Sequence, residues 1–505
     1  MRAHVYISSI RYYTLVTILN ATMKSAYISK RVVIEGHVEP ACIVVQDGKI
    51  LDIIRGEDFE RFERDSVSQV IDVGNLVLMP GVVDSHVHVN EPGRSEWEGY
   101  ATATKAAAAG GITTIIDMPL NSIPSTTTLV ALEEKVLSAS DKCYVDVGFW
   151  GGIVPGNQDE LLQMLSAGVM GFKCFLIHSG VDDFPAVSRK DLESAFQVLQ
   201  GIPAVVLFHA EVDCGCTDGK SKDGHEKYAT FLESRSEEME IEAIKMVCDL
   251  CLMYRVRCHI VHLSAASALP YIINAKNMGA PLTVETCHHY LSLDAESIPN
   301  KATQFKCCPP IREKANQNAL WDALKNGNID MVVSDHSPCT PDLKLLEQGD
   351  FLKAWGGIAS VQFGLSLFWT SAEGRGFTLA DTVRHLCENT AKLANLEHRK
   401  GALKIGYDAD FVIWDPEASF KVTADSIHHR NKITPYLGKE LKGVVHMTVV
   451  RGRPVFKDGR LLTKPTGSFL LNEKTPPETL KSRFSCSVSY TGPNRERIFA
   501  IRRQV

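Results

Sequence analysis

The sequence predicts an α/β fold, a (β/α)8 TIM-type barrel with a small β-sandwich domain built from both flanks of the barrel, on three observations. Between residues 76 and 395, short β-rich apolar runs alternate with helical stretches, and the runs number eight. Strand-like runs of a different style stand on both sides of that region. Six polar residues, His86, His88, Lys173, His209, His262 and Asp335, sit at or near the C-terminal ends of barrel runs, the rim where such a barrel gathers its chemistry.

The barrel strands are expected at residues 76–86, 112–118, 144–153, 171–176, 204–210, 258–264, 282–291 and 329–336. Between them, residues 96–109 read as a helix, alanine-rich with acids at the start and Gly110-Gly111 at the stop. Ile241, Ile244, Cys248 and Cys251 recur at helical spacing. In the flanks, residues 43–53 read as a hairpin turning at Asp47-Gly48, and residues 409–414 and 447–456 return in the same style. Residues 32–75 and 396–469 are therefore expected to pair into one β domain beside the barrel at 76–395. Residues 470–505 are polar, proline-containing and aperiodic, which predicts a loosely packed tail. Residues 1–31 read as an extension in which Arg2, Arg11, Lys24, Lys30 and Arg31 precede the first acid, Glu35. That composition resembles a mitochondrial import presequence. An untargeted extension of a cytoplasmic protein, with Met23 as an alternative start, fits equally well.

With 505 residues, 45% of them apolar, the chain can bury a large core. Its 54 basic and 60 acidic residues give a formal charge of −6 without a basic run or aromatic-interleaved patch, which argues against nucleic acid and for a small-molecule substrate. No uninterrupted apolar stretch is long enough to span a bilayer. The 14 cysteines lack framework spacing and read as reduced. Cys214-Gly-Cys216 and Cys248-Asp-Leu-Cys251 raise the question of zinc, but neither has a second pair at finger or ribbon spacing.

His86 and His88, separated by one residue, project from the same face of a strand, so one ion could be held by that pair alone. A single strand-end His or Asp is more often a hydrogen-bonded core or capping residue. Four histidines, an aspartate and a lysine on five strand ends fit no packing requirement, whereas a two-metal hydrolytic centre needs this inventory. Lys173 cannot ligate as an ammonium, but burial lowers an amine's pKa. A neutral amine can add carbon dioxide, becoming an anionic carbamate; the alternative for Lys173 is a structural salt bridge. His259 and His336 are expected to point away from the centre, and His288 and His289 to be supporting or substrate contacts. Asp84, on the face of His86 and His88, either orients an imidazole or bonds backbone.

These residues resemble the cyclic amidohydrolases of the amidohydrolase superfamily, and within them the allantoinases. The resemblance covers residues 32–470. It is carried by Gly81-Val-Val-Asp-Ser-His-Val-His-Val-Asn-Glu-Pro-Gly-Arg94, Asp117-Met-Pro-Leu-Asn121, Gly171-Phe-Lys-Cys-Phe175, Glu285-Thr-Cys-His-His-Tyr-Leu291, Lys306-Cys-Cys-Pro-Pro-Ile-Arg312 and Val333-Ser-Asp-His-Ser-Pro-Cys339. It implies two Zn2+ per subunit, with His86 and His88 on one and His209 and His262 on the other. N6-carboxylated Lys173 and a hydroxide would bridge them, and Asp335 would be ligand and catalytic acid/base. It further implies allantoin as substrate, opened to allantoate in purine catabolism, and a homo-oligomer, by family habit a tetramer. Arg94, Asn121, Cys308 and Gly356 are the expected substrate contacts. For Arg94 the alternative is a loop-fixing salt bridge and for Asn121 a turn-forming side chain. Cys308 stands where the family often has Ser.

Relatives are sorted by small differences. Dihydroorotases place an Arg where this chain has Asn90, so dihydroorotate lacks its cation. Dihydropyrimidinases usually lack the Glu-Pro-Gly-Arg run and carry a Tyr near the position of His178. Dihydropyrimidinase or hydantoinase activity is the enzymatic alternative. A non-catalytic scaffold homologue is the alternative of another class. A sugar- or nucleoside-processing barrel is the weakest, because fold alone does not set a reaction.

Overall fold

The chain enters through the small domain in the computed structural model, which describes residues 24–60, 62–215 and 224–474. Strands β1 (Ser25–Ile34), β2 (His37–Gln46) and β3 (Lys49–Arg55) form an antiparallel meander, with β4 (Gln69–Asp72) and β5 (Val77–Pro80) lying parallel to β1 on its other edge. The Asp47-Gly48 hairpin forms as expected: Gln46 pairs with Lys49, and both turn residues take positive φ, 52° and 77°. β1 starts at Ser25, inside the stretch assigned to the extension, so the boundary at residue 31 is corrected. Ser29, Lys30 and Arg31 break its apolar pattern at an irregularity in the β1–β2 register, yet Ser29 is buried with its hydroxyl donating to Leu76 O at 2.6 Å.

The expected first barrel strand is also two strands. β5 stays in the small domain, and β6 (Val82–Val87) opens the barrel. The crossing is at Gly81, where a Cβ would stand 2.1 Å from Thr113 Oγ1. An unbroken apolar run hides it in the sequence. β7 (Ile112–Asp117) and β8 (Asp146–Phe149) follow β6 in parallel. After Trp150 a second parallel set runs through β9 (Gly151–Gly152), β10 (Phe172–Phe175), β11 (Val205–His209), β12 (Arg257–Ile260), β13 (Leu282–Cys287) and β14 (Met331–Val333). The ring closes where Val87 bridges His336 and the His88 N–H donates to His336 O at 2.8 Å. The strands are buried on both faces, as a parallel sheet between side-chain layers and helices requires. The first barrel helix spans Tyr100–Ala109 rather than starting at residue 96. Gly99, at φ 109°, precedes it, and Glu98 is buried beside His336 Nε2 at 3.4 Å, work that holds it outside the helix.

The chain then returns to the small domain as β15 (Phe411–Lys421), β16 (Glu440–Val450), β17 (Arg453–Lys457) and β18 (Arg460–Leu461). β15 pairs with β5, so both flanks share one nine-stranded sheet. Its halves meet in a core containing Tyr27, Ile43, Val45, Phe411, Ile413 and Val449, which makes the sandwich.

A buried charge cluster fastens the two domains. Lys400 Nζ lies 2.6 Å from Asp146, at the start of β8, 3.0 Å from Asp408 and 2.5 Å from Asp410. Arg451 and Arg399 complete it, each 2.8 Å from a carboxylate. The three acids are close enough to suit an ion, but the lysine ammonium already stands among them. Lys400→Met is expected to leave buried carboxylates short of a partner and lower stability by about 3–5 kcal/mol. The fall in the urea midpoint at neutral pH checks this.

Among the described residues 11 cysteines are free, Cys248 and Cys251 on the helix Glu237–Tyr254 included. Cys214 is disulfide-bonded, against the expectation that all are reduced. Cys216, the presequence-like segment through Met23 and the tail beyond Lys474 lie outside the described residues, although Phe469 and Leu470 pack in the core. Among the described residues no helix is long and apolar enough to cross a membrane.

Candidate active site

Parallel strands deliver the six residues to one rim. His86 lies within β6 and His88 one residue past it; Lys173 lies within β10, and His209 is the last residue of β11. His262 and Asp335 each sit two residues beyond β12 and β14 in left-handed backbone, φ 40° and 42°. Such conformations are strained for these residue types and mark places where tertiary structure dictates side-chain direction. Phe175, paired in register with His209, stacks on its imidazole with centroids 4.3 Å apart.

The nitrogens left free by neighbouring groups converge. Asp335 Oδ1 lies 3.2 Å from His86 Nε2 and 3.5 Å from His88 Nε2, and these three residues form a group that could hold a metal ion. His209 Nδ1 and His262 Nε2 face each other at 2.9 Å. The two pairs adjoin, with His86 and His262 ring centroids 5.5 Å apart. Lys173 is 1% exposed, and its Nζ has no hydrogen-bond partner. Burial pushes its amine down to about 8 despite Asp335 and Glu285 nearby. Burial also lowers His88 to about 4, and lowers His209 and His262, leaving neutral imidazoles with lone pairs to offer. An orphaned buried amine between neutral imidazoles and a carboxylate fits a group that brings positive charge, and fits carbamate formation at Lys173.

Two carboxylates that sequence reasoning missed set the imidazoles. Glu285, wholly buried, stands 2.5 Å from His86 Nδ1, and Glu211 stands 2.6 Å from His209 Nε2. Burial opposes ionisation of Glu285, but His86 and His259 outweigh it and hold the carboxyl near 2. Burial likewise opposes ionisation of Glu211, and Arg235, 3.1 Å away, with His209, holds it near 2. Asp84 takes the second of its expected roles. Its Oδ1 accepts the backbone N–H of His86 at 3.2 Å and of Ser334 at 3.3 Å, and Glu285 holds the imidazole instead. His259 was expected to face away, yet its Nε2 reaches Glu285 at 3.0 Å. Alternation from His262 fails because β12 has ended before it. His336 bonds Ser360 and faces Glu98, away from the centre. His289 joins Cys287 beside Asp335.

The centre opens into a cavity of about 480 Å³, a volume suited to a small molecule. Asn121, Cys308 and Gly356 line it, and a Cβ on Gly356 would stand 3.0 Å from Cys308 Sγ. Arg94 does not line it. Its guanidinium donates to Asn121 O at 2.9 Å, lies 3.6 Å from Asp183 and covers the Trp97 ring, so it fixes a loop. Asn121 also supports a histidine, its side-chain amide lying 3.4 Å from His88 Nδ1. Arg235, Lys306 and Trp355 line the cavity without having been singled out.

The profile of the amidohydrolase family matches residues 77–455. A protein described as "Allantoinase, mitochondrial" from Aquarana catesbeiana is 57% identical over 376 residues, covering 74% of this chain and 77% of its own. One described as "Allantoinase" from Saccharomyces cerevisiae is 43% identical over 461 residues, 89% of this chain and 99% of its own. Among solved structures, the L-hydantoinase (dihydropyrimidinase) from Arthrobacter aurescens superposes with a TM-score of 0.83 at 31% identity, covering 89% of this chain and all of that one.

Proposed function

The chain belongs to the amidohydrolase family, and we propose that it hydrolyses the cyclic amide of allantoin to give allantoate, in purine catabolism. The family is metal-dependent, and His86, His88 and Asp335 form a group that could hold a metal ion. The observation that carries the reading is the meeting of four imidazoles, an orphaned amine and a carboxylate at the mouth of a cavity of substrate size, in a chain whose relatives at 43–57% identity are described as allantoinases.

His86 and His88 would hold one Zn2+ and His209 and His262 a second, with N6-carboxylated Lys173 and Asp335 as the anionic members of the set. When bound, the pair supplies a Lewis acid for the ring carbonyl and water made acidic enough to attack it near neutral pH. Asp335, central to the cluster, takes a proton from the attacking water and passes it to the departing ring nitrogen, so that the C–N bond breaks and the former carbonyl carbon becomes a carboxylic acid, which releases its remaining proton to solvent as a carboxylate. Asn121, Cys308 and Gly356 bound the space beside the reacting amide. Arg235, held to Glu211 by one side of its guanidinium, keeps donors for the polar ureido arm or the new carboxylate.

The rival reading is a hydantoinase or dihydropyrimidinase, the description borne by the structural neighbours. Turnover of allantoin and dihydrouracil by the same purified protein separates them. We expect kcat/KM to favour allantoin by at least about 100-fold, since a cavity furnished for a ureido group leaves polar groups unpaired around a substrate lacking it. Preference for dihydrouracil overturns the assignment, and a metal-free, inert protein supports a scaffold. A homotetramer is proposed for the assembly, to be tested by light scattering.

A further inference from the structure

One carboxylate touches both halves of the cluster. Glu285 Oε1 takes His86 Nδ1 at 2.5 Å, and the same oxygen accepts the backbone N–H of His262 at 3.3 Å. Its Oε2 is anchored by His259 Nε2 at 3.0 Å, and His259 is fixed in turn through Nδ1 by Thr283 Oγ1 at 2.7 Å. The main chain adds to the hold, because Glu285 O accepts Leu263 N–H at 2.9 Å. His262 is carried on a left-handed turn, φ 40°, which stays in place only if its surroundings insist on it. The carboxylate and carbonyl of Glu285 hold that turn at two successive N–H groups, those of His262 and Leu263. Glu211, by contrast, reaches the imidazole of His209 and Arg235 and touches neither His86 nor His88.

We propose that Glu285 is a positioning residue coupling the two metal positions: it sets the imidazole of His86, in the first pair, and the turn that presents His262, in the second. The inference rests on the binuclear reading above. A carboxylate is needed because both of its oxygens accept, from His86 Nδ1–H on one side and His259 Nε2–H on the other. A carboxamide offers one acceptor and sets its NH2 against the second donor. His86 with Nδ1–H engaged presents its Nε2 lone pair toward Asp335, and a loosened Glu285 releases that tautomer and the His262 turn together.

The test is zinc titration of the full chain after chelator treatment, following affinity and stoichiometry, with melting temperature read with and without zinc. The wild type is expected to take two zinc ions per chain. Glu285→Gln is expected to weaken both by about 10–100-fold while the circular dichroism of the zinc-free chain is unchanged and the zinc-dependent rise in melting temperature shrinks. His259→Asn, which releases Oε2 without touching a metal-binding side chain, is expected to weaken both positions in the same direction and to a lesser degree. Glu285→Gln that weakens one position and leaves the other at wild-type affinity overturns the coupling, as does wild-type affinity at both. If Glu285→Gln fails to fold, His259→Asn decides by the same criteria. A wild type that takes up fewer than two zinc ions overturns the binuclear reading itself, and this inference with it.

Discussion

Lys173→Ala is expected to strip the protein of its metal and reduce allantoin turnover by about three powers of ten or more, the several kcal/mol that metal-assisted charge stabilisation supplies. The side chain is 1% exposed and its amine has no hydrogen-bond partner. A buried, unpaired ammonium among imidazoles would be costly. Burial, which lowers its pKa to about 8, makes the neutral amine accessible near physiological pH, and only the neutral form adds carbon dioxide. The resulting carbamate would turn a repelled cation into an anionic donor where two dications would meet. Alanine would remove that donor, leaving four imidazoles and Asp335 to balance the charge. Its truncation also opens space, so short carboxylic acids are expected to enter and restore part of both metal content and rate. Metal analysis paired with allantoin turnover, with and without added propionate, checks the expectation. Unchanged metal and activity in Lys173→Ala would discard the carbamate.

How much of this was legible in the sequence depended on what kind of order each residue obeys. The barrel could be counted because parallel strands buried on both faces need unbroken apolar runs, and the six rim residues interrupt or end such runs. The switch from β5 to β6 left no trace except Gly81, since the apolar run continues across it from Val77 to Val83. Glu211 was within reach, being two residues beyond His209 and so on the same side of an extended chain. Glu285 carried a fainter signal, an acid inside the strand Leu282–Cys287, but its link to His86 spans 199 positions and no spacing rule joins them. Alternation misplaced His259 because His262 lies past the strand on a left-handed turn. Arg94 was expected as a substrate contact with a loop-fixing salt bridge as the alternative, and its direction is settled by Asn121 O and Asp183, which only the folded loops bring together. Arg235 precedes the helix Glu237–Tyr254 with no local mark at all.

Asp335→Asn is expected to lower kcat by about 10²–10⁴-fold, the range for losing a positioned acid/base, while leaving the fold and much of the metal in place. The backbone argument favours asparagine over alanine as the probe. Position 335 sits at φ 42°, where Asn is among the few residues besides Gly to be at ease, so the substitution adds no strain. The side chain keeps an oxygen toward His86 and His88, whose Nε2 atoms lie 3.2 and 3.5 Å from Oδ1 in the native chain. Partial ligation by that amide oxygen therefore survives, but an amide can neither take the proton of the attacking water nor return one to the ring nitrogen. Lys173→Ala and Asp335→Asn should thus fail differently. The first loses metal and rate together and recovers with added acid; the second keeps metal, keeps KM for allantoin within about threefold, since ground-state binding is untouched, and recovers with neither. Metal content that collapses in Asp335→Asn as far as in Lys173→Ala would make Asp335 chiefly a ligand, and the proton transfer would then belong to another group at the rim.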